Sequence, residues 1–163
     1  MNDRVRLAIN GYGRIGRCVV RALHESSLRD HMQVVVINEP ADLATMEYLT
    51  RYDSTHGVFP GHVERDENGL ILDSHPITVL HRNTPEAVDW HGMSVDLMLE
   101  CSGQYSQRAD LRRFIDAGCP RVLLSHPGAS ANDVDRTVVY GINQDTLQPT
   151  DTLVSNASCT TNA

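Results

Sequence analysis

The chain has 163 residues and a formal net charge of −7, from 14 Lys and Arg against 21 Asp and Glu. This acidic balance argues against a nucleic-acid-binding surface, and no apolar run approaches the roughly 20 residues of a membrane span. The hydrophobic fraction of 40% is typical of a folded soluble domain. Because no signal-peptide pattern follows Met1, we expect one cytoplasmic domain that binds neither nucleic acid nor membrane.

Short apolar runs alternate with segments of helical spacing along the chain. A period of three to four in the apolar residues predicts helices over 14–27, 42–49 and 108–117. Runs of β-branched and other apolar residues predict strands over 5–9, 33–37, 95–99, 121–124, 137–140 and 152–154. Strands that alternate with helices predict an α/β fold with a doubly wound, mostly parallel sheet.

The segment 58–80 departs from this alternation. It contains short strand-like pieces around Val63, Leu70–Leu72 and Ile77, broken by Asn68-Gly69 and by Pro76. Asn-Gly between apolar pieces is a hairpin signal. We therefore expect a short antiparallel excursion between the second and third parallel strands.

The four cysteines are far apart in the sequence. They form no CxxC pair, so the pattern predicts neither a zinc site nor a disulfide framework. A reducing compartment fits this usage best. The residues are Cys18, Cys101, Cys119 and Cys159.

A glycine-rich turn joins the first predicted strand to the first predicted helix. Gly11, Gly13 and Gly16 match GxGxxG, and this position after a strand and before a helix is the context that the dinucleotide-binding fingerprint requires. The first glycine permits a tight turn, the second admits a pyrophosphate, and the third lets the helix pack on the strand. The alternative is a glycine-rich turn without a ligand. We expect a Rossmann-type domain that binds the pyrophosphate at the helix N-terminus.

An acidic residue, Glu39, follows the second predicted strand, 23 positions after Gly16. At about this spacing a carboxylate accepts hydrogen bonds from the adenosine ribose and disfavours a 2′-phosphate. The alternative is a solvated loop carboxylate. The position predicts NAD rather than NADP as the cofactor.

Two later strands end in small polar residues. Ser102 and Gly103 follow the strand 95–99, and Ser125 follows the strand 121–124. Ligands of open α/β sheets lie outside the carboxyl ends of the strands, so these three residues are candidate cofactor contacts. Serine and glycine are also common turn residues, which is the alternative.

The last predicted strand leads into a polar segment that contains Cys159. Its position, where a helix is expected to begin, stabilises a thiolate, and a thiolate is a nucleophile toward carbonyl carbon. The hydroxyls of Ser158 and Thr160 can donate hydrogen bonds to a phosphate. The alternative is a small buried cysteine.

Four segments resemble the phosphorylating glyceraldehyde-3-phosphate dehydrogenase family. They are NGYGRIGR (10–17), YDSTHG (52–57), ECSGQY (100–105) and SNASCTTN (155–162). The resemblance implies that Cys159 forms a thiohemiacetal with a phosphorylated aldehyde, that hydride passes to NAD, and that Ser158 and Thr160 contact phosphate or substrate. It also implies that Arg14 and Ile15 belong to the NAD-binding turn, and that the protein is a homotetramer.

Other details resemble the erythrose-4-phosphate dehydrogenase branch of this family. They are Glu39 in place of the usual Asp, His126 within Ser-His-Pro-Gly, and the segment 138–145. That branch oxidises D-erythrose 4-phosphate to 4-phosphoerythronate, toward pyridoxal 5′-phosphate, with water resolving the thioester. The alternative is the glycolytic enzyme acting on glyceraldehyde 3-phosphate.

The resemblance leaves two positions open. The arginine near the adenine corresponds to Arg82, or Asn83 takes its place. The family's general-base histidine follows the cysteine, whereas all eight histidines here precede Cys159. We therefore expect residues 1–163 to be an NAD-binding domain without its catalytic domain, binding NAD weakly and inactive alone. The alternative from another class is a stand-alone nucleotide-binding module with Cys159 as a redox sensor.

Overall fold

A computed structural model describes residues 4–163 of the chain. Three α-helices are formed: α1 (Arg14–Glu25), α2 (Leu43–Arg51) and α3 (Arg108–Asp116). The strands are β1 (Val5–Asn10), β2 (Met32–Asn38), β3 (Tyr52–Asp53), β4 (Gly57–Val58), β5 (Val63–Arg65), β6 (Gly69–Leu72), β7 (His75–Leu80), β8 (Leu97–Glu100), β9 (Val122–Leu124), β10 (Arg136–Thr137) and β11 (Leu153–Ser155). Short 3₁₀ turns lie at Ser27–Asp30, Pro85–Ala87, Ala131–Asp133 and Gln144–Thr146.

Nine of these strands form one sheet in the order β10-β11-β9-β8-β1-β2-β7-β6-β5, and β3 and β4 form a separate pair. The pairs from β10 to β7 are parallel, whereas β6 is antiparallel to both β5 and β7. The carboxyl ends of β11, β9, β8, β1, β2 and β7 therefore meet at one edge, the carboxyl edge. This arrangement confirms the doubly wound, Rossmann-type α/β fold.

Both faces of the sheet are covered, which explains why its central strands are apolar throughout. Leu7 and Ile9 of β1 pack with Val20 of α1 and Met46 of α2 on one face. The intervening Ala8 packs on the other face with a cluster that includes Phe114 of α3. A strand's alternating side chains thus contribute to two cores.

The antiparallel excursion is confirmed, and it extends the main sheet because β7 pairs in parallel with β2. The strand predicted over 137–140 is wrong beyond Thr137. There the Asn143 side chain accepts the Val139 N–H at 2.7 Å, and Gly141 has a φ of +89°, so the chain turns instead of extending. The helix predicted over 14–27 ends at Glu25.

The longest helix within residues 4–163 has 12 residues, which is too short to cross the hydrocarbon core of a bilayer.

Candidate functional site

The carboxyl edge collects the residues that the sequence singled out. The glycine turn follows β1, Glu39 follows β2, Arg82 follows β7, and Ser102 with Gly103 follows β8. Ser125 follows β9, and Ser158, Cys159 and Thr160 follow β11. These strands are neighbours in the sheet, so residues as far apart as 11 and 159 lie along one edge, and we call the space outside this edge the cofactor crevice.

A side chain would meet different surroundings at each of the three glycines of the turn. Gly11 has a φ of +91°, and a Cβ there would lie 2.5 Å from the Ser102 backbone. A Cβ on Gly16 would lie 2.3 Å from the Gly11 carbonyl oxygen. Around Gly13 a Cβ would meet no atom within 4 Å. There is therefore no room for a side chain at Gly11 or Gly16, whereas the space beside Gly13 is open.

The open position lies at the N-terminus of α1. Gly13 is the N-cap residue, and no side chain caps the helix there. The first N–H groups of a helix have no partner within it and carry its positive dipole end. An uncapped helix N-terminus beside an open glycine fits a pyrophosphate group. The observed surroundings of Gly13 thus agree with a bound dinucleotide.

Glu39 connects the end of β2 to the glycine turn. Its carboxylate accepts the Tyr12 N–H at 2.6 Å and the Ala41 N–H at 3.1 Å. A carboxylate has about four acceptor positions, so two more remain for ribose hydroxyls. The residue is half-buried, which makes it more than a solvated loop carboxylate.

The side chains of Arg14 and Ile15 flank this turn at the start of α1. Arg14 forms a 2.6 Å ion pair with Asp53, which lies in the YDSTHG segment. N–H groups of His56 and Thr55 and the Arg14 guanidinium hold the pKa of the Asp53 carboxyl well below its usual range. Ile15 is 47% exposed, an apolar surface at the mouth of the crevice.

On the other side of the glycine turn, Ser102, Gly103 and Ser125 line the crevice. Gly103 has a φ of +72° and, like Gly13, open space where a Cβ would lie. The Ser125 N–H donates to the Glu100 carbonyl at 3.0 Å, which fixes the end of β9 against β8. These residues form a polar wall on the side of the crevice nearer β11.

Sequence reasoning missed a buried polar group beneath this wall. Glu100 is fully buried, and Asn10 and Asn38 are 6% exposed each. Burial raises the pKa of Glu100, and hydrogen bonds from Ser102 and Asn10 oppose that shift. The sequence did carry a signal for this group: each of three neighbouring apolar strands ends in a polar residue.

The loop after β11 presents Cys159 to solvent. Ala157 has a φ of +57°, unusual for a residue with a side chain and a mark of strained backbone near a functional group. The Ser158 hydroxyl accepts the Thr161 N–H at 3.0 Å, and the Ser158 carbonyl accepts the Asn162 N–H at 3.1 Å. Cys159 is thus the first residue of a single hydrogen-bonded turn capped by Ser158, and the helix expected at this position is not formed within residues 4–163.

Two of the remaining thiols, Cys101 and Cys119, are in less reactive surroundings. Burial and the negative charge of Glu100 raise the pKa of Cys101 to about 12. Burial alone raises the pKa of Cys119 to about 12. Cys18 is half-buried, with its sulfur 4.0 Å from His56 Nε2. Of the four thiols, Cys159 combines exposure with a position at the carboxyl edge.

No group of three or more His, Cys, Asp or Glu side chains suited to a metal ion lies within residues 4–163.

A family model described as "Glyceraldehyde 3-phosphate dehydrogenase, NAD binding domain" matches residues 5–108, more than half of the chain. The match runs from β1 to the start of α3. It includes the glycine turn, Glu39, Arg82, Ser102 and Gly103.

Proposed function

The chain belongs to the glyceraldehyde-3-phosphate dehydrogenase family, with NAD as its cofactor, and we propose that it serves the oxidation of a phosphorylated aldehyde through Cys159. Membership of the family supports an NAD-dependent dehydrogenase function. The observation that carries the aldehyde chemistry is the exposed thiol of Cys159, first in a capped turn at the carboxyl edge.

The proposed reaction begins with attack of the Cys159 thiolate on the aldehyde carbon, which forms a C–S bond and a thiohemiacetal. As the thiohemiacetal becomes a thioester, its hydroxyl releases a proton and its carbon loses a hydride, for which bound NAD would supply the acceptor. Water then adds to the thioester carbonyl and expels the thiolate, which releases the acid. The hydroxyls of Ser158 and Thr160 are proposed to hold the phosphorylated substrate.

The chain's own residues are proposed to hold the cofactor in one orientation. Glu39 accepts the adenosine ribose hydroxyls, and the first N–H groups of α1 bind the pyrophosphate across Gly13. Ser102 and Ser125 then face the nicotinamide half, on the side of the crevice from which β11 leads to Cys159. In this proposal the order along the sheet directs the nicotinamide toward the thiol.

We propose D-erythrose 4-phosphate as the substrate and 4-phosphoerythronate as the product, within pyridoxal 5′-phosphate biosynthesis. The support is the resemblance of Glu39, His126 and the segment 138–145 to that branch. Under this proposal residues 1–163 are the NAD-binding part of a cytoplasmic enzyme, and the general-base histidine lies in a further catalytic domain.

We also propose that the enzyme is a homo-oligomer. Three large apolar side chains are exposed together beside the glycine turn: Tyr48 at 62%, Tyr52 at 46% and Val58 at 66%. Tyr52 and Val58 pair across β3 and β4, and the rings of Tyr48 and Tyr52 are 5.1 Å apart. Sedimentation of the protein tests whether this surface is covered by a second copy.

The decisive experiment measures NADH formation by the protein translated from the complete open reading frame. Erythrose 4-phosphate and glyceraldehyde 3-phosphate are compared, each with and without inorganic phosphate. We expect faster turnover of erythrose 4-phosphate without a phosphate requirement. Preference for glyceraldehyde 3-phosphate with a strict phosphate requirement would indicate the glycolytic enzyme instead.

A pair of cysteine variants provides the control. Cys159→Ser is expected to abolish NADH formation, whereas Cys119→Ala, at a buried thiol remote from the carboxyl edge, retains it. Failure of the wild-type protein to oxidise either aldehyde, with NAD still bound, would contradict the proposal and favour a nucleotide-binding redox module.

A further inference from the structure

A continuous row of hydrogen bonds, buried from β8 to β2 and partly buried at β7, crosses the ends of β8, β1, β2 and β7. Asn10 Nδ2 donates to Glu100 Oε2 at 2.6 Å, and Asn38 Nδ2 donates to Asn10 Oδ1 at 2.8 Å. Asn38 Nδ2 also donates to the Arg82 carbonyl at 3.0 Å, and Asn38 Oδ1 accepts the Arg82 N–H at 2.9 Å. We call Glu100, Asn10, Asn38 and Arg82 the polar row.

The direction of every bond in the polar row is fixed from its two ends. A carboxylate is an acceptor only, so Asn10 must turn its NH₂ group toward Glu100 and its carbonyl toward Asn38. At the far end, the backbone N–H and C=O of Arg82 cannot exchange places, so Asn38 has one satisfactory orientation. Reversing any one amide would set donor against donor or acceptor against acceptor.

Each end of the polar row also touches one side of the cofactor crevice. Glu100 Oε1 accepts both the N–H and the hydroxyl of Ser102, whose backbone is the contact that would exclude a Cβ on Gly11. At the other end, Arg82 follows β7 beside Glu39, and the Glu39 carbonyl lies 2.7 Å from His81 Nδ1. The polar row therefore spans from the nicotinamide side to the adenosine side.

We propose that Glu100 is a positioning residue for both halves of the dinucleotide, acting through the complete donor–acceptor pairing of the polar row. Its carboxylate holds Ser102 directly, and it holds Arg82 through Asn10 and Asn38. The proposal rests on the assignment of NAD to this crevice. It predicts that a change at Glu100 alters binding on the adenosine side, three strands away.

Two substitutions separate donor–acceptor pairing from side-chain identity. Glu100→Gln sets an N–H of the new amide against either Ser102 N–H or Asn10 NH₂, whichever way it turns. Asn10→Asp sets a carboxylate against Glu100. In the double variant E100Q/N10D the amide at position 100 donates to the carboxylate at position 10, which accepts from Asn38. The double variant pairs every donor with an acceptor again, with the bond between positions 10 and 100 reversed, and it keeps one negative charge in the row.

The test is calorimetric titration of the protein with NAD and, separately, with AMP, which probes the adenosine side alone. Each single variant is expected to weaken both ligands about tenfold, the order expected from one mispaired buried hydrogen bond. The double variant is expected to return both to within about threefold of wild type. Thermal unfolding is measured in parallel on all four proteins.

Two outcomes would overturn the proposal: weakened NAD binding by E100Q with unchanged AMP binding, or a double variant no better than the single ones. If E100Q does not fold, N10D against E100Q/N10D decides the question by the same AMP titration. Failure of the wild-type protein to bind either ligand would contradict the cofactor assignment. The pairing of the polar row would still be measurable, because the double variant would unfold at a higher temperature than either single variant.

Discussion

Gly13 and Gly16 belong to the same turn, but a methyl group would have opposite consequences at the two positions. Gly16→Ala places Cβ against the Gly11 carbonyl, at 2.3 Å before relaxation, and such overpacking costs about 1–3 kcal/mol. Gly13→Ala meets nothing, and its φ of −71° is open to alanine. We expect G16A to unfold at a lower temperature and G13A to retain stability while losing NAD affinity, because the methyl group occupies the space of the pyrophosphate.

Thermal unfolding and NAD titration of the two variants check this prediction. The wild-type protein at the same NAD concentrations is the reference. Equal losses of stability in both variants would show that the opening at Gly13 is structural rather than a ligand space.

At the residue scale, the sequence predicted the residues that belong to a local backbone motif. It missed the residues whose role depends on side-chain hydrogen bonds to distant parts of the chain. Gly11 and Glu39 were identifiable because strand, turn and helix follow one another within the fingerprint. Asn10, Asn38 and Glu100 were not, because their partners are 28 and 90 positions away in sequence. Only the register of β1 against β2 and β8 brings these side chains together.

At the scale of elements, Asp135 joins α3 to β11. One carboxylate oxygen accepts from Arg108 at 2.9 Å, and the other accepts the N–H groups of Thr152 and Leu153 at 2.9 Å each. Burial opposes ionisation, but these donors outweigh it and lower the pKa of Asp135 to about 2. The ionised form is therefore favoured in the folded protein.

Asp135→Asn is expected to lower the free energy of unfolding by about 1–3 kcal/mol at neutral pH, because an NH₂ group replaces one acceptor. The folded pKa is depressed, so the stabilisation by Asp135 is present above its ordinary value of 3.8 and is lost as the pH falls toward about 2. Urea unfolding of both proteins from pH 7 to pH 2 measures the difference. A difference that stays constant across this range would exclude the carboxylate's charge as its cause.

The elements differ in how well local sequence specifies them. The hairpin around Asn68 is correctly predicted because its turn is local: Asp66 Oδ1 accepts the N–H groups of Asn68 and Gly69. The apolar segment after Thr137 is mispredicted as strand because its conformation depends on the side chain of a later residue, Asn143. Its Tyr140 is 84% exposed, although the residue type favours strands.

At the scale of the whole molecule, one sheet supports two cores. Leu70, 1% exposed, lies in the core with α1 and α2, whereas Leu111, fully buried, lies in the core with α3. Trp90, the protein's single tryptophan, belongs to the second core. Because β1 contributes side chains to both, neither core can be lost without exposing the strands that carry the other.

We therefore expect a single cooperative transition, with Trp90 fluorescence and far-ultraviolet circular dichroism giving the same midpoint. Leu70→Ala and Leu111→Ala each remove a buried leucine, at a cost of about 2–5 kcal/mol. Both should shift the Trp90 midpoint and the dichroism midpoint together, although Leu70 lies in the core opposite Trp90. If L70A shifted the dichroism midpoint and left the Trp90 midpoint in place, the two cores would be independent units, because cooperativity through shared strands requires that both probes move.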